Sequence, residues 1–162
     1  MMIDSQAQAC IDNKTKPPGS LGDLERLAVQ LSVIKQTLKP VVDPCRILVF
    51  AADHGIAQEG VSAFPRDVTA QMMHNFAAGG AAVCVLSASA GAQLEVIDVG
   101  VAADLSSLVS VVPNKIADGT MSFANDPAMT TEQCEQAMQV GAMRVRQAVD
   151  DGVECILSLI HI

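Results

Sequence analysis

The chain has no tryptophan and no tyrosine, and only four phenylalanines among its 162 residues. Its core must therefore be packed from Ala, Val, Leu, Ile and Met, in elements that approach one another closely. Basic patches are also missing: ten Lys and Arg are scattered between Lys14 and Arg146, against eighteen acidic residues and a net charge of -8. That excludes nucleic acid and anionic membrane as expected partners. No C-x-x-C occurs, and the five cysteines are odd in number and widely spaced, so reduced thiols are expected, with neither a disulfide frame nor a zinc site. No apolar stretch reaches the length of a spanning helix, and the first residues lack a basic-then-apolar secretory layout; the expected location is cytoplasmic. Internal repeats and low-complexity tracts are absent as well.

What is present is half hydrophobic, with a positive mean hydropathy, enough to build a real core. Ile3, Ala7 and Cys10/Ile11 recur at helical spacing before Lys16-Pro17-Pro18 stops them. Ser20 and Asp23 read as a capping box for a second helix, whose stripe is Leu21, Leu24, Leu27, Ala28, Leu31 and Ile34. The continuous apolar run 46–52 is a strand covered on both faces. Helices follow at 67–78 and 81–90, then a strand at 94–100, and strand, helices, strand is a parallel crossover unit. A weaker strand at 108–112 and a loop at 114–127 come next. Thr130 and Gln133 form another capping box, opening a helix with an expected buried stripe of Cys134, Ala137, Met138, Gly141, Val145, Ala148 and Val149. Val153 begins a further strand. The expected fold is α/β, a Rossmann-like three-layer parallel sheet with flanking helices, over residues 41–156, preceded by an N-terminal helical segment over 1–40.

Ligands of open α/β sheets sit beyond the carboxyl ends of the strands. Asp53-His54-Gly55 and Asp98-Val99-Gly100 both lie at such ends. The aperiodic stretch from Asp53 to Pro65 has the length of a binding loop, and Phe64 before Pro65 presents a flat ring suited to stacking on a planar heterocycle. Taken singly, Asp53 could equally cap a turn, His54 be a half-buried imidazole and Phe64 be core. Two rival readings follow from the same residues: a metal-dependent hydrolase using Asp53, His54 and Asp98, and a non-catalytic module that binds a planar ligand or partner.

Three strings in one order say more: Lys16-Pro17-Pro18-Gly19-Ser20-Leu21-Gly22, then Ala52-Asp53-His54-Gly55, then Pro65-Arg66-Asp67-Val68-Thr69-Ala70-Gln71-Met72. From about Ile11 to Ile156 the chain resembles the N-terminal half of the nicotinate-nucleotide:dimethylbenzimidazole phosphoribosyltransferase family. The resemblance implies transfer of phosphoribose from nicotinate mononucleotide to 5,6-dimethylbenzimidazole, no cofactor and no metal, and a homodimeric parent. It assigns the acceptor-base pocket to Phe64, Pro65, Gln71 and Met72, with Asp53, His54, Gly55, Asp98 and Gly100 supporting the strand-end loops. Lys115, Gly119-Thr120 and Pro127-Ala128-Met129-Thr130 also fall where the family has similar motifs. Asp126 and Met121-Ser122-Phe123 depart from the family pattern.

The resemblance further implies that the general-base glutamate and the Gly-rich phosphate loop belong to a missing C-terminal half. No catalytic residue is assigned within this chain, Glu59 being read as a solvated loop acid, and the sheet is incomplete and the fragment inactive by itself. Residues 157–162 equal one reading frame of a common sequencing adapter and are expected to be non-native read-through, which leaves His161 without a role.

Overall fold

The computed structural model describes residues 2–161, so Ile162, the last residue of the expected read-through, lies outside the described residues. The chain divides into two compact units, Met1–Val42 and Asp43–Ile162. In the first, helices α1 (Ile3–Asp12) and α2 (Asp23–Lys35) pack together, and Ala7 and Ile11 are buried. Ser20 does not cap α2. The cap position is Gly22, at φ 55°, and no side chain bonds the first turn. Gly19 and Gly22 both take positive φ, so the chain turns past Ser20 before it can enter the helix. Glu25 satisfies the entry instead, its Oε1 accepting from the Leu21 amide at 3.0 Å and pairing with Lys16 at 2.8 Å. The Lys16 ammonium, chiefly through its hydrogen bond, holds the Glu25 carboxyl below its ordinary pKa. The apolar stripe of this helix is largely open: Leu21, Leu24, Leu27 and Ile34 are all exposed.

The second unit is a four-stranded parallel sheet in the order β3-β2-β1-β4, with β1 Cys45–Ala52, β2 Gln93–Gly100, β3 Val111–Pro113 and β4 Cys155–His161. Between β1 and β2 run α3 (Asp67–Ala77) and α4 (Ala82–Ala90); α5 (Thr131–Asp150) joins β3 to β4. The alternation of side chains along β1 makes the layers. Ile47, Val49 and Ala51 pack with Met73 and Phe76 of α3, while Leu48 packs with Ile97 and with Val140 of α5. Strand β1 is central and almost wholly buried, as its unbroken apolar run requires.

Thr130 and Gln133 make the reciprocal capping box of α5, but the helix is rotated from its expected facing. Val140 and Ala148 are buried, whereas Cys134, Met138, Val145 and Val149 are exposed. The rotation carries Arg144 inward, where Nη1 donates to Glu95 Oε1 at 2.8 Å. Strand β3 lies at 111–113, short of the expected 108–112, because turns at Leu105–Leu108 and Leu108–Val111 occupy the earlier residues. The β4 register runs from Cys45↔Cys155 to Ala51↔His161, so residues 157–161 extend the edge strand.

Candidate functional site

The carboxyl end of β1 turns directly into a web of short contacts. The Asp53 amide donates to the Gly100 carbonyl at 2.9 Å, and its buried carboxylate accepts from the Ala102 amide at 2.7 Å. The Thr120 amide donates to the Asp53 carbonyl, and the Gly55 amide to the Thr120 carbonyl, both at 3.0 Å. His54 Nδ1 lies 3.3 Å from Thr120 Oγ1. A Cβ on Gly55 would fall 2.6 Å from the backbone at Met121 and Ser122, so only glycine lets the two loops close. Asp98, equally buried, accepts from the amides of Gly100 at 3.0 Å and Val101 at 2.8 Å, with Lys115 Nζ at 3.9 Å. Asp98 thus holds the loop leaving its own strand, and Asp53 ties the end of β1 to the loop leaving β2.

Above this floor opens a cleft of about 820 Å³ whose lining includes Asp53, His54, Phe64, Pro65, Met72 and Phe123. Pro65 ends the loop and α3 begins two residues later, so Phe64 on the loop and Met72 on the helix meet one space. Met72 leans on the core cluster and is half-buried; Phe64 and Phe123 keep 69% and 65% of their surface open, available to a guest. Gln71 is exposed on α3 and does not line the cleft; Gly55 and Gly100 hold loops beneath it. Arg66 reaches over the floor, donating to the Asp118 carbonyl at 2.6 Å, with Nε 3.6 Å from Asp53 Oδ1. His161 forms part of the wall, its ring edge-on to Phe76 at 5.6 Å; burial pushes its pKa down, with Asp53 opposing. A smaller cavity of about 220 Å³ shares Asp53 and His54 and is lined on the α5 side by Phe50, Val99, Thr120, Met129 and Ile160. Among the described residues no three His, Cys, Asp or Glu side chains gather to hold a metal ion, and Asp53 and Asp98 are each turned to loop amides.

A model of a phosphoribosyltransferase family matches residues 2–158. The chain belongs to this family. It is 52% identical over 149 residues to the nicotinate-nucleotide–dimethylbenzimidazole phosphoribosyltransferase of Cupriavidus taiwanensis, covering 92% of this chain and 43% of that protein. The enzyme of the same name from Solidesulfovibrio magneticus is 50% identical over 151 residues, with 93% and 43% covered. The crystal structure of CobT from Thermus thermophilus superposes with a TM-score of 0.86 at 37% identity, covering 98% of this chain and 47% of that one. The chain therefore spans a little under half the length of these relatives.

Within this family member, Phe123 and Arg66 are among the cleft residues that the sequence did not single out. Both carried a signal. Phe50 and Phe76 sit inside apolar strand and helix patterns, whereas Phe64 and Phe123 stand in loops, where an aromatic ring has no packing reason to be. Arg66 follows Pro65 at the mouth of α3 and reaches the Asp118–Thr120 turn from there. Glu59 does take a partner: its Oε1 accepts from Ser122 Oγ at 3.1 Å, tying the Phe64 loop to the Phe123 loop.

Proposed function

We propose that the chain forms the acceptor-base half of an enzyme that transfers phosphoribose from nicotinate mononucleotide to 5,6-dimethylbenzimidazole, releasing nicotinate and forming α-ribazole 5'-phosphate. The observation that carries this reading is the cleft at the end of β1, apolar in lining and flanked by two largely open rings, Phe64 and Phe123. A flat, weakly polar bicycle gains from such rings by offset stacking, and Met72 adapts to its edge.

The base nitrogen attacks the anomeric carbon with inversion, so acceptor and donor lie on opposite faces of the ribose. Holding them in line supplies roughly 7 to 11 kcal/mol of the barrier. The task of this chain is that positioning: the base is seated on the cleft wall while Asp53 and Asp98 fix the loops beneath it. Removal of the base proton as charge builds, typically worth about 100- to 10,000-fold, falls to a carboxylate outside these residues, as does phosphate binding. The chain by itself is then inactive, and its parent is a cytoplasmic homodimer. The carboxylates of Asp53 and Asp98 are engaged by loop amides, which argues against their use as metal ligands in a hydrolase.

Fusion at β4 to the second half of the Cupriavidus taiwanensis relative tests the reading. The folded fusion releases nicotinate from nicotinate mononucleotide only when dimethylbenzimidazole is present, and the 162-residue chain releases none. A folded fusion that is inert, or a chain active alone, overturns the assignment.

A further inference from the structure

Cys45 opens β1 and Cys155 opens β4, and the parallel register pairs them directly. Partners in register project to the same face, and adjacent strands lie about 4.7–4.9 Å apart, inside the roughly 4.4–6.8 Å between Cα atoms that a disulfide spans. Both thiols are free and half-buried. The other three have no such partner among the described contacts: Cys10 and Cys134 are exposed on helices, and Cys84 donates to the Phe76 carbonyl at 3.6 Å.

We propose that Cys45 and Cys155 form a dithiol site that closes reversibly to a disulfide, with a low-molecular-weight disulfide such as glutathione disulfide as the oxidant. One protein thiolate attacks the reagent and expels the first glutathione thiolate. The second protein sulfur then displaces the other glutathione from the mixed disulfide. Two electrons pass from the dithiol to the reagent, and the two thiol protons finish on the two released glutathiones. Burial, first, and the neighbouring Cys155 raise the Cys45 pKa, so at neutral pH its reaction is slow; selectivity comes from the second thiol waiting across the strand. The bond ties the edge strand β4 to the central strand at the end remote from the cleft, closing most of the second unit into one loop.

The test is equilibration of the chain with excess glutathione disulfide, followed by alkylation and mass spectrometry. In the unaltered chain, peptide mapping recovers the Cys45 peptide linked to the Cys155 peptide, and dithiothreitol separates them. A C10S/C84S/C134S variant loses two hydrogens, keeps no glutathione and unfolds at higher urea than its reduced form, because the crosslink restricts the unfolded chain. Serine at Cys45 or at Cys155 abolishes the internal link. The site is refuted if the triple variant retains two glutathione adducts or two free thiols, or if the unaltered chain links other cysteines instead.

Discussion

The two ends of β1 use charge in opposite ways. At the amino end, Arg46, only 8% exposed, donates to Gln93 Oε1 at 2.7 and 3.0 Å and to Asp151 Oδ2 at 2.8 Å, with Glu95 at 3.9 Å. Glu95 is held in turn by Arg144 from α5, so the groups answer one another across β1, β2 and α5. At the carboxyl end, the aspartates are likewise bonded, but the layer above them is not closed. Two phenyl rings, Phe64 and Phe123, stand open over the cleft. Under the proposed function the first end serves stability and the second a guest, which is the division expected of a parallel sheet whose loops diverge at one end.

Perturbing each end sharpens the contrast. Arg46→Met has the largest effect, since it deletes the charge-assisted hydrogen bonds that a buried guanidinium makes to Gln93 and Asp151; a loss of about 2 to 3 kcal/mol in urea unfolding is expected, with affinity for dimethylbenzimidazole unchanged. Gly55→Ala forces the β1 loop away from Met121 and Ser122, costing about 2 kcal/mol and weakening the base, so here both readouts move. Phe64→Ala, at a mostly exposed ring, shifts stability by less than ~0.5 kcal/mol yet weakens base binding several-fold, up to about tenfold, by calorimetry. Equal losses of binding from Arg46→Met and Phe64→Ala would erase the distinction between the ends.

The smallest effect is a pH dependence at the amino end. Arg46, through its hydrogen bond first, lowers the Asp151 pKa from its ordinary 3.8. A carboxylate with a depressed folded pKa stabilises above the unfolded value, and that contribution is lost as pH falls through the folded one. The urea midpoint of the unaltered chain should therefore exceed that of Asp151→Asn above pH 3.8, and the gap should close progressively below it.

Much of this was readable from local pattern. The buried run of β1, the Thr130/Gln133 cap and the Pro65 entry to α3 each depend on neighbours in sequence, and the structure contains all three. Failures came where a distant partner or a backbone angle decides. Ser20 loses its cap to the positive φ of Gly19 and Gly22. The facing of α5 follows Arg144 to Glu95, a pairing between segments far apart in the chain. In the cleft, Phe64 and Met72 were legible together because one loop and one helix join them, while Phe123 arrives from across the sheet. Gln71 precedes Met72 by one helical step of about 100°, which is enough to turn it to solvent. The meeting of Cys45 with Cys155 is a matter of strand register, which spacing in sequence does not reveal.

The central claim is that the space between the Phe64 loop and α3 receives a flat nitrogen heterocycle. Titration of dimethylbenzimidazole into the chain, followed by NMR of the phenylalanine rings and methionine methyls, tests it directly. Saturable shifts at Phe64, Phe123 and Met72, lost in Phe64→Ala, are predicted. Shifts that fail to saturate, or that gather at Met129 and Phe50 around the smaller cavity, would contradict it.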